Sequence, residues 1–116
     1  MKNLQKNKQI NKQQPQTELS VFAKNDLNEI WSYINQDNPE YADNLIVELL
    51  RKFKMLAENP KLGKTRNEIF LNLQSFPFKK FVIFYVQIEN GIEIFRVVHS
   101  SRNIQGLFEE FFENLK

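Results

Sequence analysis

The sequence predicts an α+β protein: an N-terminal antiparallel helical hairpin packed on a small antiparallel β-sheet, with a further helix at the C-terminus. Three observations carry this prediction. Two segments with apolar residues at helical spacing are separated by a short Asn-Pro break. Two apolar strand segments follow, joined through an Asn-Gly turn. Residues 104–116 then return to helical spacing, with apolar and acidic residues on opposite sides.

Length and composition place the chain among single domains that fold without covalent cross-links. At 116 residues it is long enough to bury a core of its own. It has no cysteine, which excludes disulfides and thiol chemistry and suits the cytoplasm, the location that we expect. Its apolar runs are too short to span a membrane, and no apolar stretch follows the basic N-terminus as in a secretory signal.

Charge is segregated along the chain. Residues 1–16 carry four Lys and no acid, and their Lys/Asn/Gln-rich composition predicts a disordered tail ahead of one domain over residues 17–116. Residues 17–50 have one base and seven acids, whereas residues 51–103 have ten bases and four acids. The basic half is either a solvated surface or a patch that meets nucleic acid or an acidic partner.

The helical hairpin is predicted from caps and apolar stripes. Ser20 can accept a hydrogen bond from an amide of the first turn, and it starts the first helix. Asn38-Pro39 ends that helix and starts the next, because proline at the first helical position loses no hydrogen bond. Asn59-Pro60 stops the second helix. The first stripe is Leu27, Ile30, Trp31 and Ile34, and the second is Ala42, Leu45, Ile46, Leu49, Phe53, Leu56 and Ala57.

Strands follow a basic loop over residues 62–67. We expect a short strand at residues 69–74 and two longer ones at residues 79–88 and 92–99, which form a hairpin. Alternation places Arg96 on the same face as Ile92, Ile94 and Val98, which we expect to point at the helices. A buried arginine needs a carboxylate, so we expect a structural ion pair between Arg96 and Asp26 or Glu29 of the first helix.

Both faces of the strand hairpin are largely apolar, so the second face also needs a cover. The C-terminal helix and a partner protein are the two candidates. A partner would contact either this face or the outer side of the helical hairpin. The residues of the face are Phe81, Ile83, Tyr85, Phe95 and Val97.

No cofactor or metal is expected. One histidine, no cysteine and scattered acids do not make a ligand set. The three glycines do not form a phosphate-binding loop.

Four segments carry a family resemblance: LSVFAKNDLNEIWSYI, LAENPKLGKTRNE, LQSFPFKKFVIFYV and GIEIFRVVHSSRNI. In this order and at this spacing they resemble the RelE/ParE superfamily of bacterial toxins from type II toxin–antitoxin pairs, over about residues 17–104. The SFPFKKFVIFY and RVVHSSRN stretches look more like the ParE branch than the RelE branch.

The resemblance implies the same fold as the residue pattern, and it implies a partner. Members are neutralised by a cognate antitoxin that winds over the toxin in a hetero-oligomer. ParE-like members poison DNA gyrase without catalysis, whereas RelE-like members cut messenger RNA in the ribosome. The ParE-like function is our expectation. A RelE-like endoribonuclease and an inactive relative that only binds antitoxin are the alternatives.

Site residues follow from these two chemistries. Target binding by cationic side chains would use Arg66, Lys79, Lys80, His99 and Arg102. RNA cleavage needs a base, an acid and cations for the phosphorane charge, and the candidates are His99, Arg66, Arg102 and Tyr85. Ser100 stands where some RelE-like nucleases have an aromatic hydroxyl, so we expect His99 to be a strand-end residue and not a catalytic one.

Gln74 departs from the resemblance. ParE-like chains usually carry LRSFP, and here LQSFP puts Gln74 in the place of that arginine. We expect Gln74 to lie among the basic positions that meet the target, and its neutrality to reduce potency.

Overall fold

A computed structural model describes residues 14–115 as an α+β fold. In chain order its elements are β1 (Gln16–Leu19), α1 (Val21–Asn35), α2 (Pro39–Glu58), a 3-10 turn (Pro60–Leu62), β2 (Lys64–Thr65), β3 (Gln74–Phe78), β4 (Phe81–Ile88), β5 (Gly91–His99) and α3 (Ile104–Asn114). The strands form one sheet, and the α1–α2 hairpin packs on it. The predicted fold class is confirmed.

The helical hairpin begins and turns at the predicted residues. The Ser20 hydroxyl accepts a hydrogen bond from the Ala23 amide at 3.0 Å. The Asn38 side chain accepts one from the Tyr41 amide at 3.1 Å, with Pro39 as the first residue of α2. These caps satisfy amides that have no partner inside the helix.

The sheet order is β1-β5-β4-β3-β2, and every neighbouring pair is antiparallel except β1 with β5. β1 was not predicted. Most of the predicted tail lies outside the described residues, but at its end Gln16 belongs to β1 and its amide donates to the Asn90 carbonyl at 2.7 Å. Gly91 makes this pairing possible, because a Cβ there would lie 2.0 Å from the Gln16 carbonyl oxygen.

The strand predicted at residues 69–74 is wrong. Residues 69–72 are a turn, and β3 runs from Gln74 to Phe78. The turn closes through the Arg66 amide on the Leu73 carbonyl at 2.7 Å and through Asn72, which has a positive φ of 70°. Asparagine tolerates that conformation better than most residues, so the chain turns here and the apolar residues of this segment do not form a strand.

A β-bulge changes the predicted faces of β5. Phe84 pairs with Arg96 whereas Tyr85 pairs with Ile94, so Phe95 is an extra residue that has no partner on β4. Beyond the bulge the alternation is shifted by one residue. Val97, and not Val98, therefore joins Ile92 and Ile94 on the face under the helical hairpin.

Two apolar clusters lie on either side of the sheet. The inner core, between the sheet and the helical hairpin, includes Leu45, Leu49, Phe53, Ile83, Tyr85, Ile92, Ile94 and Val97. The outer core lies on the other face and consists of Leu73, Phe84, Val98 and Phe108, with Phe95 beside it. Phe108 belongs to α3, so the C-terminal helix is the cover of the second face. Within residues 14–115, none of the helices is both long enough and apolar enough to cross a membrane.

Candidate functional site

An open cleft of about 810 Å³ lies where the helical hairpin meets the ends of β4 and β5. One wall carries Tyr33 of α1 and Tyr41 of α2. The other wall carries the basic residues Lys79, Lys80, His99 and Arg102. We therefore call this site the cationic cleft. Four of the five predicted target-binding residues are thus brought together, and Arg66 is not among them.

Local backbone structure explains this clustering. Lys79 and Lys80 form the two-residue turn between β3 and β4, with Lys79 at a positive φ of 52°. Phe81 pairs with His99, which sets the end of β5 beside this turn. The Ser100 amide donates to the Lys80 carbonyl at 2.8 Å and fixes the two segments to each other.

The lysines of the turn differ in their partners. The Lys79 ammonium lies 3.0 Å from the Glu48 carboxylate and 5.8 Å from the centre of the Tyr41 ring. The hydrogen bond to Glu48 raises the pKa of Lys79 above its ordinary value. Within residues 14–115, neither Lys80 nor Arg102 has a carboxylate partner, so both keep their charge available to a ligand.

His99 is exposed, and one of its two ring nitrogens is already hydrogen-bonded within the protein. Its Nδ1 accepts a hydrogen bond from the Ser101 amide at 3.1 Å and lies 2.7 Å from the Ser101 hydroxyl. Because an amide N–H can only donate, Nδ1 carries no proton, and the neutral ring has its proton on Nε2. In this tautomer the other ring nitrogen, Nε2, is a donor, which suits binding of an anion more than removal of a proton.

Tyr85 does not belong to the cleft. It is fully buried in the inner core, and its hydroxyl donates to the Pro60 carbonyl at 2.7 Å and accepts from the Gly63 amide at 2.8 Å. Burial raises the pKa of the Tyr85 hydroxyl above its ordinary value. Its prediction as a nuclease group is wrong, because a buried and doubly bonded phenol cannot exchange a proton with a substrate in the cleft.

Arg66 lies elsewhere as well. Its Nε is 2.6 Å from Glu68 and its Nη1 donates to the Ser75 hydroxyl at 3.4 Å, beside β3. The guanidinium carbon sits 6.0 Å from the centre of the Phe84 ring, on the outer face of the sheet. The hydrogen bond from Arg66 lowers the pKa of Glu68. The predicted nuclease set is therefore divided, with only His99 and Arg102 in one place.

Gln74 is buried and does not lie on a basic surface. Its Nε2 donates to the Pro60 carbonyl at 2.8 Å, and its Oε1 accepts from Gln87 at 3.0 Å. Together with Tyr85 it ties the 3-10 turn to the sheet. The expectation that Gln74 meets the target is wrong, because its side chain is only 5% exposed and fully engaged inside the protein.

The predicted partner-binding face is largely closed. Ile83 and Tyr85 of β4 lie in the inner core because the helical hairpin covers their face of the sheet, and the bulge in β5 brings Val97 to the same face. Phe95 packs against α3, with its ring 5.8 Å from that of Phe108. Of the five, Phe81 and Val97 line the cationic cleft. The outer side of the hairpin, the other predicted surface, does expose large apolar side chains: Trp31, Val47 and Leu50.

Arg96 contacts Asp26 of α1 and not Glu29. Two hydrogen bonds of 2.8 and 2.9 Å join the Arg96 guanidinium to the Asp26 carboxylate. Asp26 and Glu29 both line the cationic cleft, with Glu29 one turn further along α1. The ion pair has a structural role, since it joins α1 to β5.

Sequence reasoning missed several residues of the cleft. Tyr33 and Tyr41 were not among the predicted site residues, yet both line the cleft, and Tyr33 is 75% exposed and Tyr41 is 43% exposed. Glu48, the partner of Lys79, carries no sequence signal because it is 31 residues away. Ser101, which contacts the His99 ring, was also not predicted.

The chemistry available in the cleft is that of binding. Two exposed tyrosines and several cations can hold an acidic or phosphate-bearing ligand. No group of three or more potential metal ligands occurs within residues 14–115. The fold and the cleft together define a small α+β protein with a cleft lined by basic and aromatic side chains.

Comparison with known proteins identifies the family. The chain belongs to the ParE toxins of type II toxin–antitoxin systems, the parDE family, whose model matches residues 18–104. The fold is similar to a chain in the solved structure of the chromosomal ParDE TA system from P. aeruginosa, with a TM-score of 0.64 and 17% identity over 75% of this chain and 97% of that chain. No curated protein sequence gives a significant match. The predicted resemblance is confirmed, and the protein is a ParE-like toxin.

Proposed function

We propose that this toxin acts in the cytoplasm by binding DNA gyrase through the cationic cleft, and that a cognate antitoxin neutralises it. The grouping of Lys80, His99 and Arg102 in one cleft, apart from Tyr85 and Arg66 of the predicted nuclease set, is the observation that carries the proposal. A toxin of this family with such a cleft has the means to hold a target.

Electrostatics favours an acidic or phosphate-bearing contact on the target. Lys80 and Arg102 have no carboxylate partner within residues 14–115, so binding would not require an existing ion pair to break. The neutral ring of His99 offers its Nε2 proton beside them. Such contacts steer association and add specificity, and they weaken as salt increases.

The antitoxin partner is proposed to be small, acidic and partly disordered before it binds. The outer side of the helical hairpin supports this, because Trp31, Val47 and Leu50 are exposed there and could receive the apolar face of a helix. The entropy that the antitoxin loses when it becomes ordered on this surface would have to be offset by the free energy gained when those side chains are buried. An antitoxin that also reached the cationic cleft would compete directly with the target.

RNA cleavage in the ribosome is the second candidate function. It is favoured by one observation, the 2.7 Å contact between the Ser101 hydroxyl and Nδ1 of His99, which puts a hydroxyl and an imidazole at the mouth of a cationic cleft. Against it, Tyr85 and Arg66 lie outside that cleft. An inactive relative that only binds antitoxin would have the same fold and would bind neither target.

Binding to purified gyrase tests the proposal. Lys80→Gln and Arg102→Gln should each weaken the binding of the toxin to gyrase by roughly tenfold, equivalent to about 1.4 kcal/mol. Lys24→Gln is the matched control, because it removes one exposed positive charge from α1 outside the cleft. Equal binding by all three variants would rule out the cleft as the contact surface, and absence of binding by the wild type would reject gyrase as the target.

A further inference from the structure

A second basic surface lies at an edge of the sheet. β2 pairs with β3 only at Gln74 and Ser75, so within the described part of the chain no strand lies beyond the rest of β3. The exposed Pro77 in this stretch has no amide hydrogen to donate. We call residues 75–78 the β3 edge; beyond Ser75, which pairs with Lys64, it is an unpaired strand edge that is poorly suited to pairing with another strand.

Cations flank the β3 edge on the face of the helical hairpin. The Lys52 ammonium lies 5.5 Å from the centre of the Phe78 ring, and the Lys79 ammonium lies 5.6 Å from the same ring. Lys52 is on α2 and Lys79 is in the β3–β4 turn. Two elements that are distant in the sequence therefore bring positive charge to one aromatic side chain.

Cations flank the outer face of the same edge. Lys64 of β2 pairs directly with Ser75 in the sheet. Arg66 reaches the Ser75 hydroxyl at 3.4 Å. The β3 edge thus has a pair of cationic side chains on each face of the sheet.

Nearby acids leave most of this charge available. The two ion pairs at the edge are Arg66–Glu68 and Lys79–Glu48. Exposed pairs of this kind contribute little, so a phosphate can replace the carboxylate at small cost. Within residues 14–115, neither Lys52 nor Lys64 forms an ion pair, although Lys64 is close enough to Glu68 to contribute to the lowering of its pKa.

We propose that the β3 edge binds the phosphodiester backbone of DNA. Positive charge on both sides of a narrow edge can follow a phosphate backbone, whereas an acidic protein helix would need exposed apolar anchors. Pro77 is exposed at this edge, while Phe76 and Phe78 are partly buried in the inner core. The identification of this DNA as the duplex held by gyrase rests on the proposed function. The binding of a phosphodiester backbone by the β3 edge does not rest on it.

Salt dependence of DNA binding tests the inference on the full chain. Anisotropy of a short labelled duplex, titrated with toxin between about 50 and 200 mM salt, should give a plot of log affinity against log salt with a slope of about −4 or steeper, a loss of about 10²-fold over that range. Lys52→Gln and Lys64→Gln should each make the slope shallower by about one. Lys54→Gln, an exposed lysine on another side of α2, is the control and should change the slope less.

The comparison arms separate the outcomes. A homopolymeric single-stranded RNA that binds more tightly than the duplex would overturn DNA as the source of the phosphates. Polyglutamate that competes as well as duplex DNA at equal charge would show an acidic-protein site instead. An equal change of slope in Lys52→Gln, Lys64→Gln and Lys54→Gln would show that the β3 edge has no special role in DNA binding. The binding of Lys52→Gln to gyrase is measured in the same series. It distinguishes failure of DNA binding at the β3 edge from failure of the proposed function.

Discussion

Arg96 and Asp26 form a two-bonded ion pair that joins β5 to α1, with Nε to Oδ2 at 2.8 Å and Nη2 to Oδ1 at 2.9 Å. Asp26 Oδ2 also accepts the Val97 amide at 2.9 Å. These bonds lie directly after the bulge at Phe95, and the Ser20 hydroxyl donates to the Phe95 carbonyl at 2.7 Å on its other side. Contacts from the start of α1 therefore hold the bulge that determines which β5 residues enter the inner core.

Removal of the arginine should destabilise the fold. Arg96→Ala would leave the mostly buried Asp26 carboxylate without its cation, at an expected cost of about 3–5 kcal/mol. Urea unfolding followed by the fluorescence of Trp31 measures this change. Glu29→Ala is the control, because Glu29 does not contact Arg96, and its cost should stay within about 0.5 kcal/mol.

The structural role of Arg96 can be disproved. If Arg96→Ala unfolds at the same urea concentration as the wild type but no longer binds its target, the residue belongs to the functional surface. Asp26→Asn provides a second check, because its side-chain oxygen can still accept a hydrogen bond from the Val97 amide, whereas the negative charge that pairs with Arg96 is removed.

Tyr85 gives a prediction on alkaline stability. Folding raises the pKa of Tyr85 above its ordinary 10.0, so the unfolded chain loses this proton first as the pH rises. The stability that Tyr85 contributes is therefore complete below about pH 10 and is lost as the pH rises through the higher folded pKa. The difference in unfolding free energy between wild type and Tyr85→Phe should shrink above about pH 10.

The same variant should be destabilised at neutral pH. Tyr85→Phe leaves the Gly63 amide without its hydroxyl acceptor in a buried site, and we expect a cost of about 1–3 kcal/mol. Tyr33→Phe is the control, since Tyr33 is exposed. A difference between wild type and Tyr85→Phe that stays constant from neutral pH to about pH 11 would contradict the account.

Gly91 is predicted to be essential for docking β1. Its φ of 156° and the distance of only 2.0 Å that would separate an alanine Cβ from the Gln16 carbonyl oxygen leave no room for alanine. Gly91→Ala should release β1, seen as faster hydrogen exchange at the Gln16 and Ser20 amides, which bond to the β4–β5 turn and to β5. Glu89→Ala in the same turn should leave exchange unchanged. Full protection in Gly91→Ala would show that β1 does not depend on this glycine.

The helices and the central hairpin could be predicted because their signals are local. Ser20, Asn38 and Pro39 mark helix starts wherever they occur before an apolar stripe, and the structure has those starts. The grouping of Lys79, Lys80 and His99 was also within reach of the sequence. A strand hairpin whose two strands are both long brings the start of one beside the end of the other.

The bulge, β1 and the fate of Tyr85 could not be predicted, because their causes are distant in the sequence. Alternation along β5 is broken at Phe95 by contacts from Ser20 and Asp26, which lie 75 and 71 residues before their partners. β1 is a short, mostly exposed strand held by backbone pairing to β5, so it has no apolar pattern. Tyr85 looked available because one face of the hairpin was assumed to be open, and the helical hairpin covers that face.

Inhibition of DNA supercoiling by purified toxin, measured with wild type and His99→Ala, tests the central claim most directly. If the cationic cleft acts by binding, the wild type should inhibit gyrase, and His99→Ala should need roughly tenfold more protein for each 1.4 kcal/mol of affinity lost. Messenger RNA on programmed ribosomes, the companion reaction, should stay intact. The account is contradicted if gyrase is unaffected while that RNA is cut, with cleavage reduced about 10²–10⁴-fold in His99→Ala as for a lost general base or acid.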